Sequence, residues 1–70
     1  MAEVKVTMKA ARLMAGKTQD EVANALKVSK KTIVSWEKGR TAPTVEKALL
    51  FCKFCNISYD AITFLRHDAI

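Results

Sequence analysis

Proline and glycine are scarce in this sequence, which has one Pro and two Gly among its 70 residues. Because these residues punctuate strands and hairpin turns, their scarcity argues against a fold rich in β-structure. Hydrophobic residues make up 50% of the chain, a composition that favours a compact helical bundle over disorder. We therefore predict one domain over residues 1–70, near the lower size limit for a core without metal or disulfide support.

Long hydrophobic runs are also missing. No segment approaches the roughly 18 consecutive apolar residues of a membrane-spanning helix. Residues 1–6 do not contain the apolar stretch of a signal peptide. We expect a cytoplasmic protein with no membrane partner.

Histidine occurs once, as His67, and this scarcity bears on the Cys52-x-x-Cys55 spacing. The functional interpretations of that spacing are half of a zinc site or a redox dithiol. A zinc site would need four ligands, which one chain does not supply, and no predicted strand precedes the two cysteines. Their place in an apolar helical pattern favours packing in the core. We predict no metal, no cofactor and, without a nucleophile beside a base, no catalytic residue.

Acidic residues are the minority: 7 Asp and Glu stand against 12 Lys and Arg, giving a net charge of +5. The excess is concentrated between Lys27 and Arg40, where five cations accompany one acid, Glu37. A basic stripe of this kind favours a polyanionic partner, such as a nucleic acid.

Five helices are predicted from apolar spacing and from the residues that begin and end them. Their ranges are about 7–15, Gln19–Leu26, 30–38, Val45–Cys55 and 59–65. Thr18 and Glu21 form a capping box at the start of the second helix, and Ser29 is the N-cap of the third. The residues expected to end the first four helices are Gly16, Lys27, Gly39 and Asn56.

The predicted core follows from helical spacing. In the first helix Met8 and Ala11 face inward, together with Met14 or Ala15. In the fourth helix the expected inward residues are Val45, Ala48, Leu49, Cys52 and Cys55, with Phe51 and Phe54 at the flanks.

The second and third helices form the most informative segment, residues 18–38. On the third helix Ile33, Trp36 and Glu37 face inward, and packing is a better role for Trp36 than stacking on a base. The outward residues are Lys30, Lys31, Val34, Ser35 and Lys38, beside Lys27 and Arg40. A short helix with hydrogen-bond donors and cations fits the DNA major groove, so we predict a DNA-binding helix-turn-helix.

Several motifs carry a family resemblance. They are Thr18-Gln-Asp-Glu-Val-Ala, Leu26-Lys-Val-Ser, Ile33-Val-Ser-Trp-Glu-Lys-Gly39, Pro43 and Asn56-Ile-Ser-Tyr-Asp. Over about residues 8–62 the chain resembles the phage repressor and Cro-type helix-turn-helix family, also called Xre. The resemblance implies an all-α, five-helix domain with its core at about 7–65 that binds operator DNA, commonly as a dimer. Lys27 departs from the Gly usual in the family. Because the chain ends soon after the fifth helix, we expect a small Cro-like or stand-alone regulator of phage or bacterial origin.

The resemblance also implies roles for single residues. Base contacts fall to Lys30, Lys31, Ser35 and Val34, although these side chains could instead form a solvated face. Phosphate contacts fall to Gln19, Ser29, Thr32, Lys27, Lys38, Arg40 and Thr41, with Lys9 and Lys17 as further candidates. Arg12 and Glu37 are expected to form a partly buried salt bridge that orients the third helix.

The apolar end of the chain suggests an interface. Its candidate residues for a homodimer are Ile57, Tyr59, Ile62, Phe64 and Leu65. The alternative is that these side chains fold back over the first and fourth helices as core.

The sequence thus favours a sequence-specific transcriptional regulator that binds double-stranded operator DNA, with no small-molecule ligand. The alternative is an antitoxin-like or regulatory protein-interaction module of the same fold, for which the segment 62–65 would serve as the contact surface.

Overall fold

The computed structural model describes residues 5–64. In chain order its elements are strand β1 (Val6–Thr7), helices α1 (Met8–Met14), α2 (Gln19–Leu26), α3 (Lys30–Glu37) and α4 (Val45–Cys55), a 3₁₀ turn (Tyr59–Ala61), and strand β2 (Ile62–Thr63). The first four helices are predicted from the sequence to within a residue at each end. The fold is predominantly helical, with one short pair of strands.

Each α-helix begins at a hydroxyl side chain that accepts from the backbone of its first turn. Thr7 accepts from Ala10 N–H at 3.1 Å, and the same arrangement recurs at Thr18, Ser29 and Thr44. At Thr18 the capping box is complete, because Thr18 N–H also donates to the Glu21 carboxylate at 2.8 Å. These bonds satisfy N–H groups that a helix leaves without partners at its start.

Each α-helix also ends in the same way, with one residue in the left-handed conformation. The four residues are Gly16, Lys27, Gly39 and Asn56, all with positive φ. At the end of α3, Gly39 N–H donates to Trp36 C=O and Arg40 N–H donates to Ser35 C=O, both at 3.1 Å. This pair of bonds closes the helix and directs the chain away from it. The predicted ends of all four helices are confirmed.

The core lies between α2, α3 and α4, with α1 packed over one side. Its largest fully buried side chains are Phe51, Leu26, Ile33 and Val22. The predicted inward face of α4 is partly wrong, since Val45 is 65% exposed and Leu49 51% exposed. Eight of the eleven residues of α4 are apolar, so its spacing fits more than one face. The buried side keeps Ala48, Cys52 and Cys55 of the predicted face and adds Phe51.

The first helix agrees with expectation. Met8 and Ala11 are buried as predicted, and of the alternatives Met14 and Ala15 it is Ala15 that packs half-buried against the core, while Met14 is 73% exposed. Met14 falls in the last turn of α1, beyond the part of the helix that the core covers.

The predicted fifth helix is wrong. Ser58 caps only one turn, Tyr59–Ala61, by accepting from Asp60 N–H at 3.3 Å. The chain then becomes extended and pairs in parallel with β1, with Val6 opposite Ile62 and Thr7 opposite Thr63. This pairing joins residues far apart in the chain, and it replaces the predicted helix at Ile62–Thr63, while Leu65 lies outside the described residues.

Most of the described residues that were predicted to form the homodimer interface are wholly or partly buried in this domain. Ile62 is 4% exposed and belongs to the core. Phe64 packs edge-on against Phe51, with ring centroids 6.1 Å apart, and Ile57 is half-buried against the core. Tyr59 alone of the described candidates stays clearly exposed, at 40%, while Leu65 lies outside the described residues. The alternative in which this segment folds back as core therefore holds for Ile62 and in part for Ile57 and Phe64.

Cys52 and Cys55 pack in the core, at 6% and 8% exposure, as free thiols. Burial raises the pKa of both thiols, so they stay protonated at neutral pH. Across residues 5–64 no group of three or more His, Cys, Asp and Glu side chains is placed to hold a metal ion. Within the same range no helix has the length and apolar character needed to span a membrane.

Candidate nucleic-acid interface

Helices α2 and α3 and the turn between them form a helix-turn-helix whose two helices pack directly on each other. Lys27 ends α2 in the left-handed conformation, at φ 59° and ψ 44°. Ser29 then begins α3 by accepting from Thr32 N–H at 3.2 Å. Val28 N–H also donates to Ala23 C=O at 3.0 Å, so the turn is held by a hydrogen bond on each side. These bonds set how α3 projects from the domain.

The inward side of α3 is anchored by apolar contact. Ile33 is fully buried, and Trp36 is half-buried against the core cluster. The burial of Trp36 agrees with a packing role for this side chain. With these residues turned inward, the opposite side of α3 faces solvent.

A second anchor is polar and joins three helices. Arg12 Nε lies 2.6 Å from Glu37 Oε2, and the two side chains are only 8% and 4% exposed. Arg12 Nη1 also donates to Lys17 C=O at 2.9 Å, which fixes the guanidinium relative to the end of α1. The structure thus brings Arg12 and Glu37 together as the ion pair that the resemblance implies, and the pair holds α3 against α1.

Gln19 belongs to the same network, which the sequence did not indicate. Its amide nitrogen donates to Glu37 Oε1 at 3.0 Å. The side chain is therefore held in one orientation at the start of α2. The carbonyl oxygen and the second N–H of the Gln19 amide remain available, and that N–H is the group that could donate to a phosphate oxygen.

Five cations of the segment are exposed to solvent, and we call them the basic face: Lys27, Lys30, Lys31, Lys38 and Arg40. Over residues 5–64 the one ion pair is that of Arg12 with Glu37. The cations of the basic face therefore have no carboxylate partner within the described chain. Their charge is available to an anion from outside.

Two hydroxyl pairs lie among these cations. Ser35 Oγ and Thr41 Oγ1 are 2.9 Å apart and link α3 to the loop that follows it. Ser29 Oγ and Thr32 Oγ1 are 3.0 Å apart at the start of α3. Each hydroxyl can both donate and accept, so every pair keeps hydrogen-bonding capacity for another molecule. Val34 lies half-buried on the same helix.

An open groove runs beside the starts of α2 and α3. Lys17, Gln19 and Lys30 line it together with Asp20. Lys17 is fixed there by its ammonium group, which sits 4.9 Å from the centre of the Phe54 ring. Asp20 places one negative charge in this groove, which Leu13 and Gly16 also line.

One cation that sequence reasoning did not single out has a structural role. Lys47 of α4 donates to Leu26 C=O at 2.8 Å. This places a positive charge at the carboxyl end of α2, where the helix dipole favours it. No local sequence signal identifies the contact, because the two residues meet only through the packing of α2 on α4.

The fold and the basic face define a small helix-turn-helix domain. A family model described as helix-turn-helix matches residues 8–62. The chain belongs to this Cro/Xre-type helix-turn-helix family, whose domains are found in DNA-binding regulators. No curated protein and no solved structure gives a significant match to the chain.

Proposed function

We propose that this protein is a sequence-specific transcriptional regulator, a repressor or Cro-like protein of phage type, that reads operator DNA with α3. The observation that carries the proposal is the basic face: five exposed cations without an acidic partner in residues 5–64, on and beside a short helix. Such a helix fits the major groove, and its charge matches the phosphate backbone on either side.

Within this proposal the exposed side of α3 reads bases. Lys30 and Lys31 lie in its first turn and can donate to O6 and N7 of guanine. Ser35 lies one turn further and can reach a base directly or through water, and Val34 can contact a thymine methyl group. The ammonium group of lysine is a point charge and lacks the planar, bidentate geometry of the arginine guanidinium. These contacts therefore give a modest preference at each base pair.

Other residues hold the backbone of the DNA. The proposed phosphate contacts are Gln19, Ser29, Thr32, Lys27, Lys38, Arg40 and Thr41. The orientation of Gln19 by Glu37 supports its role, because a preset amide loses less freedom when it binds. These contacts supply affinity without sequence preference.

The operator is proposed to be pseudo-palindromic and to bind two chains. One recognition helix covers too few base pairs to select a single site, and paired helices of this class are spaced about 34 Å apart on one face of the DNA. Tyr59 is the exposed residue that remains from the predicted interface.

Salt dependence tests the electrostatic part of the proposal. If two bound chains neutralise about six to ten phosphates, the logarithm of the binding constant should fall against log[salt] with a slope of about −5 to −9. Fluorescence anisotropy with a labelled duplex at several salt concentrations measures this slope.

A matched pair of variants localises the effect. Arg40→Ala should weaken binding to all duplexes and make the slope shallower by about one per chain. Lys5→Ala removes an exposed cation that lies before β1, outside both the basic face and α4, and should leave the slope unchanged. A flat salt response of the native chain would reject the proposal, and equal effects of the two variants would reject the assignment of the basic face.

A further inference from the structure

Helix α4 has a solvent-facing surface that neither the core nor the basic face uses. Its buried side consists of Ala48, Phe51, Cys52 and Cys55. The opposite side carries Leu49, 51% exposed, and Leu50, 41% exposed. Glu46 and Lys53, both exposed, lie on the same side. We call Glu46, Leu49, Leu50 and Lys53 the α4 face.

The order of residues along the α4 face is self-complementary. Glu46 and Lys53 are seven residues apart, about 10.5 Å along the helix axis, which is too far for them to pair with each other. The two leucines lie between them, three and four residues from Glu46, and so share its side of the helix. An apolar centre is thus bounded by an acid at one end and by a base at the other.

We propose that the α4 face binds the α4 face of a second copy of this chain, with the two helices antiparallel. A two-fold axis between positions 49 and 50 brings Leu49 of one chain to Leu50 of the other. The same axis brings each Glu46 to the Lys53 of its partner, so both charged pairs form at once. This is the reciprocal pattern of an isologous contact.

The charges select this arrangement over the others. A parallel pairing would place Glu46 against Glu46 and Lys53 against Lys53, which is repulsive. Over residues 5–64 neither side chain has an ion-pair partner in its own chain, so pairing between chains breaks no existing salt bridge. The contact buries only the outer halves of a few side chains, well below the roughly 800 Å² per partner of a stable interface. The association is therefore weak and reversible.

The test uses two charge reversals, separately and mixed, without DNA. In a dimer of two Glu46→Lys chains, lysine faces lysine at both charged pairs. In a dimer of two Lys53→Glu chains, glutamate faces glutamate at both. Each variant alone should therefore associate about tenfold more weakly than the native chain or worse, because two attractive pairs become repulsive. An equimolar mixture restores opposite charges at both pairs and should associate at least as strongly as the native chain.

Sedimentation equilibrium at chain concentrations up to about 1 mM measures the three association constants. The reversals change the net charge of +5 by two units in opposite directions, and both variants stay net positive. Bulk charge therefore does not drive mixed association. Lys9→Glu, which reverses an exposed cation of α1, serves as the control and should associate like the native chain. Circular dichroism of each variant establishes that it is folded.

Two results would overturn the proposal. The first is a native chain that remains monomeric at 1 mM. The second is a mixture of the two reversals that associates no better than either variant alone. Because no DNA is present, failure here is separate from failure of the proposed DNA binding.

Discussion

At the scale of single residues, Lys27 combines a structural cost with a proposed gain. It adopts the left-handed conformation that ends α2, at φ 59°, where a side chain is disfavoured and glycine is not. Its ammonium group is exposed beside the start of α3 and belongs to the basic face. The residue places a cation where a glycine would relieve strain.

Substitution of Lys27 should separate these two effects. Lys27→Gly and Lys27→Ala remove the same charge and should weaken DNA binding equally. Only the glycine relieves the backbone, so Lys27→Gly should be more stable than Lys27→Ala by about 1 kcal/mol. Urea denaturation and anisotropy measure the two quantities. Equal stability of the two variants would mean that position 27 does not adopt the left-handed conformation in solution.

At the scale of elements, the position of α3 depends on a buried carboxylate. Glu37 accepts from Arg12 at 2.6 Å and from Gln19 at 3.0 Å, while 4% of its side chain is exposed. Loss of this group would leave the guanidinium of Arg12 buried without its counter-charge. The network therefore stabilises the packing of α1, α2 and α3 together.

Glu37→Ala should lower the free energy of unfolding by about 3 kcal/mol or more, as measured by urea denaturation. Glu37→Gln keeps hydrogen-bond acceptance without the charge and should fall between the alanine variant and the native chain. Glu46→Ala removes an exposed acid and should change the stability by less than about 0.5 kcal/mol. If Glu37→Ala and Glu46→Ala had equal effects, the ion pair would contribute nothing to the fold.

The elements also show what local sequence signals can predict. The four helices are correctly predicted because hydroxyl caps at Thr7, Thr18, Ser29 and Thr44 are encoded within a few residues of each start. Their ends are equally local. Ile62–Thr63 is mispredicted as helix because its pairing partner, Val6–Thr7, is far away in the sequence.

The buried face of α4 is mispredicted for a different reason. Periodicity identifies a face only where polar residues define its edges, and this helix is apolar at most positions. In the contact of α4 with α2, Phe51 is buried and Leu49 is left 51% exposed, an orientation that the spacing alone does not show.

At the scale of the whole molecule, the sequence predicts which residues make up the candidate site but not the hydrogen bonds among them. The excess of cations over residues 27–40 is a property of the sequence. The bonds from Gln19 to Glu37, from Ser35 to Thr41 and from Lys47 to Leu26 depend on how helices and loops meet in space. Pairs of this kind have no signature in spacing, so only the folded structure reveals which polar groups are already engaged.

The molecule presents two surfaces with different proposed partners. The basic face carries positive charge without an acidic partner in residues 5–64, and its proposed partner is DNA. The α4 face carries leucines between opposite charges, and its proposed partner is a second copy. The two surfaces share no residue. Variants in one should therefore leave the activity of the other measurable, which allows DNA binding and self-association to be tested independently.

Selection from a pool of random duplexes with the purified chain tests most directly whether α3 reads DNA sequence, as we propose. The native chain should enrich a pseudo-palindromic sequence with half-sites about one helical turn apart. Lys31→Ala should alter the enriched sequence at specific positions, with a loss of about 1–3 kcal/mol at a favoured base pair. Arg40→Ala should enrich the same sequence as the native chain at lower affinity. Recovery of no preferred sequence by the native chain, or the same sequence with Lys31→Ala, would contradict the account.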